Sequence, residues 1–188
     1  MIAVDIETSG TDPRIHSILS IGAVDMKNPD NRFYGECRAF EGAVIEQEAL
    51  NVNGFTIERI EAQELSECEL TKKFIDWVRE TEGQGSKPIM CGQNVSFDRD
   101  FVRHAAERCG NRSPFNYRVV DVHSVAWFYI TMNGGKAPSN LSLNSIMTMV
   151  GAGREPDPHN ALTGAMCSAE VISRMLTKQS MFPNEFKA

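Results

Sequence analysis

Asp5 and Glu7 stand at the end of the chain's first apolar run, Met1-Ile-Ala-Val-Asp5-Ile-Glu7-Thr8-Ser9-Gly10. Residues i and i+2 of an extended strand project from the same face. The two carboxylates therefore point together out of a stretch whose other side chains should bury. Carboxylates buried without a partner cost several kcal/mol. A shared divalent cation removes that cost, and so does a strand that stops early and leaves both acids in water. The fragment by itself leaves both readings open. Asp98 closes the segment Cys91-Gly-Gln-Asn94-Val-Ser-Phe97-Asp98. It is expected in the first turn of a helix after a polar turn, where an acid complements the helix dipole or caps it. Asn94 suits a turn on its own account. His159 follows the stiff run Arg154-Glu-Pro-Asp-Pro158 and directly precedes an apolar stripe. With an unperturbed pKa near neutrality it could take a proton from a water held beside carboxylates and a metal. Without those neighbours it is exposed polar sequence.

The elements that must position these residues can be read from periodicity. Residues 1–6 read as a buried strand, and Gly10 to Pro13 as a turn. Residues 17–25 alternate as a strand does, residues 28–31 break the chain, and residues 32–40 form a third strand. Leu70, Phe74, Trp77 and Val78 then make one helical face. A short strand is expected at 88–91, followed by a helix on which Phe97, Phe101 and Ala105 repeat every four residues. Val119-Val120 reads as a strand that ends at Asp121, which caps the next helix. Residues 133–139 are a loop, 141–150 are helical, and a long stripe (Ala161, Ala165, Ala169, Ile172, Leu176) predicts a last helix over 160–177. Strands first, then alternating helices and strands, give a mixed sheet with helices packed on it. No linker divides the chain, so residues 1–188 are expected to form one domain.

The composition is that of an ordinary globular protein, with 188 residues, 41% hydrophobic and 23% charged. No apolar run approaches the roughly 20 residues that cross a bilayer. No basic region followed by an apolar segment opens the chain, so neither a signal peptide nor a membrane partner is expected. Five cysteines (Cys37, Cys68, Cys91, Cys109, Cys167) carry no CxxC pair. An odd, scattered set predicts reduced thiols in a cytoplasmic protein and no structural zinc. A net charge of −6 argues against a protein that coats duplex DNA. It leaves room for an enzyme that grips a few nucleotides beside metal ions, since the ions supply local positive charge. Arg99, Arg103, Arg108, Arg112 and Arg118 form either a solvated face or a phosphate track. Phosphate-loop, dinucleotide-binding, zinc-protease and serine-hydrolase motifs are absent. Asp121, His123 and Ser124 lie too close in sequence to converge as a triad.

Taken in order, Asp5-Ile-Glu7-Thr8-Ser9-Gly10, Asn94-Val-Ser-Phe97-Asp98 and His159-Asn-Ala-Leu162 resemble the motifs of the DEDDh (DnaQ-like) 3′–5′ exonucleases. The likeness runs from residue 2 to about 177. It implies a ribonuclease H-like α/β fold, a five-stranded mixed sheet with helices on both faces. It also implies two Mg²⁺ or Mn²⁺ ions, about 3.5–4 Å apart, clamping the scissile phosphate. By this resemblance Asp5 would bridge both ions, Glu7 would hold the ion that activates water, and Asp98 would help hold the second. His159 would be the general base. Thr8 lies where the family's backbone meets the terminal nucleotide. Asn94 belongs to the same substrate-contacting set; Phe97 either packs beside that nucleotide or serves the core with Phe101. Glu48 and Asn53 align with the segment that contacts the 3′ end in proofreading members. The implied substrates are single-stranded DNA or RNA 3′ ends, released as nucleoside 5′-monophosphates. A homodimer and a polymerase partner both lie within the family's range.

One position departs from the pattern. The family's last motif runs His, four residues, Asp; here it reads His159-Asn-Ala-Leu-Thr-Gly164. Glycine inside a helix costs roughly 1 kcal/mol relative to alanine, so propensity does not explain it. Glu170 should face away from the site, and Asn160, one turn back, is the nearest substitute oxygen donor. Losing one anionic ligand should weaken the water-activating ion, Mg²⁺ more than Mn²⁺. The sequence thus predicts a weak or inactive nuclease, or a module that holds 3′ ends or a polymerase without cutting.

Overall fold

Five strands form one sheet in the order β3-β2-β1-β4-β5 in a computed structural model that describes residues 1–138, 140–155 and 160–186. They are β1 (Ile2–Thr8), β2 (Ile18–Asp25), β3 (Asn28–Glu36), β4 (Met90–Gly92) and β5 (Val119–Asp121). β1, β2 and β3 run antiparallel, as short connections require, while β4 lies parallel to both β1 and β5. The helices are α1 (Gln47–Asn53), α2 (Ile57–Glu61), α3 (Glu67–Glu82), α4 (Ser96–Arg108), α5 (Val122–Met132), α6 (Leu143–Met149) and α7 (Ala161–Thr177).

Side-chain alternation along β1 assigns the two faces of the sheet. Ile2, Val4 and Ile6 enter a core built with Leu70, Phe74 and Val78 of α3 and Phe101, Val102 and Ala105 of α4. Ala3 points the other way, into a core shared with α5, α6 and α7. Asp5 and Glu7 follow Ala3 in phase, so both acids rise on the α7 side. β1 continues through Thr8, with Glu7 paired to Ser20 of β2. The acids therefore belong to the sheet and do not mark its end.

α7 can lie close to that face because of a glycine. Gly22 pairs with Asp5 in the β1–β2 register. A Cβ built on Gly22 would stand 2.1 Å from both the Ala161 carbonyl carbon and the Leu162 nitrogen. These obstacles are backbone atoms and cannot rotate aside. Gly22→Ala is expected to cost about 3 kcal/mol, the upper part of the overpacking range. It should lower the urea midpoint at unchanged m-value. A loss below about 0.5 kcal/mol, the usual scale for surface changes, would mean that α7 slides freely over the sheet.

Several local expectations need correction. β3 begins at Asn28 and ends at Glu36, so residues 28–31 are strand and the turn is Met26-Lys27. Pro29 is tolerated because β3 is an edge strand and the β2–β3 register shifts beside it. Two short helices, α1 and α2, fill the stretch before α3, covering a small cluster of Leu19, Leu50, Phe55 and Ile60. Ser66 and Glu69 close a capping box at the start of α3. Cys68 and Cys109 form a disulfide, against the expectation of five free thiols. They are 41 residues apart in sequence, and the packing of α3 on α4 brings their Cα atoms to 5.3 Å. Cys37, Cys91 and Cys167 are free and buried. No helix among the described residues is long and apolar enough to cross a membrane.

Candidate active site

Asp5 and Glu7 leave β1 toward α7 and keep part of their surface in solvent. Asp98, in the first turn of α4, is only 3% exposed, and its Oδ1 accepts a 3.1 Å hydrogen bond from the Ile6 N–H. That bond spans 92 positions of sequence and docks the start of α4 onto β1. The chain thus gathers two acids from a strand and a third from a helix.

Their charges repel. Burial holds the Asp5 carboxyl well above the usual range, and the negative charges of Asp98, Glu7 and Glu155 add to it. Glu7 is pushed up to about 7 by burial, with Glu155 adding and Arg59 opposing. Asp98 is raised chiefly by burial; hydrogen bonds from backbone N–H groups pull it back, and Glu7 and Asp121 push it up again. Such a set favours protons or another cation. Hard oxygen donors of this kind suit hard divalent cations in chemistry.

As the side chains stand, the site is not drawn tight. Among the described residues, no group of three or more His, Cys, Asp or Glu is arranged to hold an ion. The position of Gly164 gives a reason. A Cβ there would meet Asp5 Oδ2 at 2.3 Å and Asp5 Cγ at 2.8 Å. The Asp5 carboxylate leans into the space that a side chain at 164 would claim. The carboxylate can take this position only because residue 164 has no side chain.

The two substitutes weighed for the missing acid are otherwise engaged. Asn160 is the N-cap of α7: its Oδ1 accepts from the Leu162 and Thr163 N–H groups and its Nδ2 reaches the Tyr34 hydroxyl. Glu170 faces away from the site as expected. It is fully buried and accepts from Arg174, Ser180 and the backbone of Met181 and Phe182, anchoring the segment after α7.

Of the residues expected to contact substrate, some are exposed and some are spent on hydrogen bonds within the fold. The Thr8 hydroxyl donates to the Gly10 carbonyl, and the Thr8 carbonyl accepts from Asn53 Nδ2 at 3.0 Å. Asn53 is 3% exposed and its Oδ1 accepts from Phe55 N–H. Its amide is thus spent on holding α1 against the end of β1. Glu48 is exposed on α1. Asn94 is exposed, takes a left-handed φ of 53° and lines a cavity beside Asp121 and His123. Phe97 is half-buried, its ring 4.7 Å from that of Phe101. His159 lies outside the described residues.

Among the arginines read as a solvated face or a phosphate track, three are taken up by ion pairs. Arg99 pairs with Asp100 and Arg103 with Glu107, while Arg108 turns inward to Glu67. Asp121 caps α5 through Ser124 N–H, which is its expected role and not that of a triad acid. Two groups that act on the site escaped the sequence reading. Glu155, whose N–H donates to Asn144 Oδ1, adds negative charge at Asp5 and Glu7. Arg59, paired with Glu36 and lying over the Phe55 ring at 4.0 Å, adds positive charge at Glu7. Neither falls in a motif, and only folding brings them near.

Comparison with known proteins shows the family and the fold. A family model, RNase_T, described as Exonuclease, matches residues 2–172. Ribonuclease T of Haemophilus influenzae is 30% identical over 136 residues, 66% of this chain and 59% of that protein. The chain thus spans about three-fifths of the length of these ribonuclease T relatives. The 3′–5′ DNA exonuclease Cap18 of Escherichia coli is 26% identical over 179 residues, 95% of this chain and 92% of that protein. In fold, the nuclease domain of 3′hExo, a DEDDh family member bound to rAMP, superposes with a TM-score of 0.74 at 17% identity, covering 95% of this chain and 92% of that one. E. coli exonuclease I in complex with a dT13 oligonucleotide gives 0.68 at 16% identity, covering 92% of this chain and 40% of that one.

Proposed function

The chain belongs to the RNase_T exonuclease family, and from that premise we propose that it is a metal-dependent 3′–5′ exonuclease of single-stranded nucleic-acid ends, with catalysis weakened by Gly164. The observation that carries this reading is the gathering of Asp5, Glu7 and Asp98, with Asp98 hydrogen-bonded to the N–H of Ile6, the residue between the two strand acids. Asp5, Glu7 and Asp98 would hold Mg²⁺ or Mn²⁺. Bound there, the ions would supply a polarised phosphate and an activated water. Asp98, held by the Ile6 N–H, would be the more rigid ligand, and Asp5, leaning toward Gly164, the one that would have to reorient. Asn53 braces the Thr8 carbonyl, which sets the backbone against which a terminal nucleotide would rest. His159 would accept the proton of the attacking water, its ordinary pKa being suited to that task at neutral pH. The products are nucleoside 5′-monophosphates.

A second reading, a module that holds 3′ ends without cutting, draws on the lean of Asp5 into the space beside Gly164. A 5′-labelled oligonucleotide separates the two. The nuclease reading expects stepwise shortening of DNA or RNA, faster in Mn²⁺ than in Mg²⁺ and abolished by Asp5→Asn. Retention of the strand without shortening in either metal favours the module. An oligonucleotide that neither shortens nor binds removes both.

A further inference from the structure

Two cavities adjoin at α5, near the carboxyl ends of the parallel strands. The first, of about 600 Å³, opens at the carboxyl ends of β4 and β5 and is lined by Asn94, Ser96, Asp121 and His123 among others. Ligands of open α/β sheets settle at such strand ends. The second, of about 570 Å³, is lined by His123, Trp127, Lys136, Ala137 and Pro138. His123 lines both, so the two adjoin along α5 and together make a groove.

The first cavity lies beside the candidate active site, since Asn94 in its wall stands four residues before Asp98. Asn94 opens the turn whose helix carries Asp98, and the charge of Asp121 is felt at Asp98. The Asp121 carboxylate is itself taken up by the N–H groups of Val95 and Ser124. Beyond it, His123 and Trp127 stand four residues apart, on one line of α5. The inward face of that helix is Val122 and Ala126, so the core does not use the indole. Trp127 is 51% exposed beside a cavity that also presents the ammonium of the exposed Lys136. An open aromatic face next to a cation is the pairing by which proteins hold single strands without reading sequence. Amide and hydroxyl walls from Gln93, Asn94, Ser96 and Ser124, with the Lys136 cation beyond them, suit a phosphodiester chain better than a second copy of an acidic protein.

We propose that this groove holds the nucleotides on the 5′ side of the terminal one, with a base stacked on Trp127 and a phosphate beside Lys136. The proposal rests on the nuclease reading and names the path of its substrate.

Oligonucleotides of one, three and five units, the longer ones protected by phosphorothioate linkages at the 3′ end, test it in Mn²⁺. Tryptophan emission should be quenched by the three- and five-unit strands and not by the mononucleotide. Trp127→Ala should lower affinity for the pentamer about tenfold, within the range of one lost base stack, and leave mononucleotide affinity unchanged. Trp127→Phe should restore most of it. Lys136→Gln should flatten the dependence of log K on log salt by about 0.7, the share of one phosphate contact on a single strand. Equal losses for mononucleotide and pentamer, or no loss at all, overturn the track. So does an effect of Trp127→Ala confined to self-association in light scattering. If strands bind with unchanged affinity in Trp127→Ala, only the track fails; if no strand of any length binds, the nuclease reading falls with it.

Discussion

Gly164→Asp is expected to tighten Mn²⁺ binding by tenfold or more and to speed 3′-end shortening by a similar factor. The physical cause is local. Asp5 Oδ2 lies 2.3 Å from where the new Cβ must go, so Asp5 has to turn aside. Unlike the backbone that faces Gly22, this obstacle is the end of a side chain and can move. The variant then adds a fourth acid to a site where Asp5 and Glu7 already hold protons more firmly than free carboxylates do. Without metal it should melt at lower temperature than the parent chain, because burying another like charge is unfavourable. With Mn²⁺ the order should reverse, since binding to the folded state alone adds RT ln(1 + [L]/Kd) of stability. Losing even an outer-shell partner of a metal ligand commonly changes affinity about 10–100-fold, so a direct anionic ligand should register at least as strongly. Calorimetric titration and melting curves with and without Mn²⁺ read both halves. Unchanged affinity and turnover would show that the glycine is not what limits the site.

Glu67→Ala should cost about 3–5 kcal/mol of stability, the scale for stripping one partner from a buried ion pair. Glu67 is 2% exposed in the first turn of α3, where a carboxylate also suits the helix dipole. It accepts from the Ser17 hydroxyl, the Ile18 N–H, and both Nε and Nη2 of Arg108. Arg108 in turn donates to the Pro13 carbonyl and lies over the Phe40 ring at 4.3 Å. One carboxylate therefore ties α3 and α4 to the chain between β1 and β2. The Cys68–Cys109 bond sits on the adjacent residues of the same two helices. The two clasps share a load, so their effects should be non-additive. Urea denaturation should show a larger loss for Glu67→Ala after reduction than before it. A loss below about 1 kcal/mol, the worth of an exposed pair, would mean that water takes over the role of the carboxylate.

What could be read in the chain alone was whatever depends on local period. A side-chain alternation of two placed Asp5 and Glu7 on one face of β1. Helical spacing gave α3, α4 and the long α7, and an acid before an apolar helix gave the Asp121 cap. Three short motifs in order were enough for the family, and with it the fold and the helices on both faces. The misplaced start of β3 shows the limit: Asn-Pro-Asp-Asn is turn chemistry by composition, and only its place at an edge made it strand.

Tertiary structure decided everything that needs a distant partner. It placed α7 against the acids, set the Asp5 carboxylate in the space beside Gly164, and made Asn53 a brace and Asn160 a cap. It also brought Glu155 and Arg59 to bear on Glu7 and joined Cys68 to Cys109. The reason is range. Propensity and periodicity act over a few residues, whereas the worth of a carboxylate depends on which charges and donors surround it. Here that neighbour can be as remote as the 92 positions between Ile6 and Asp98.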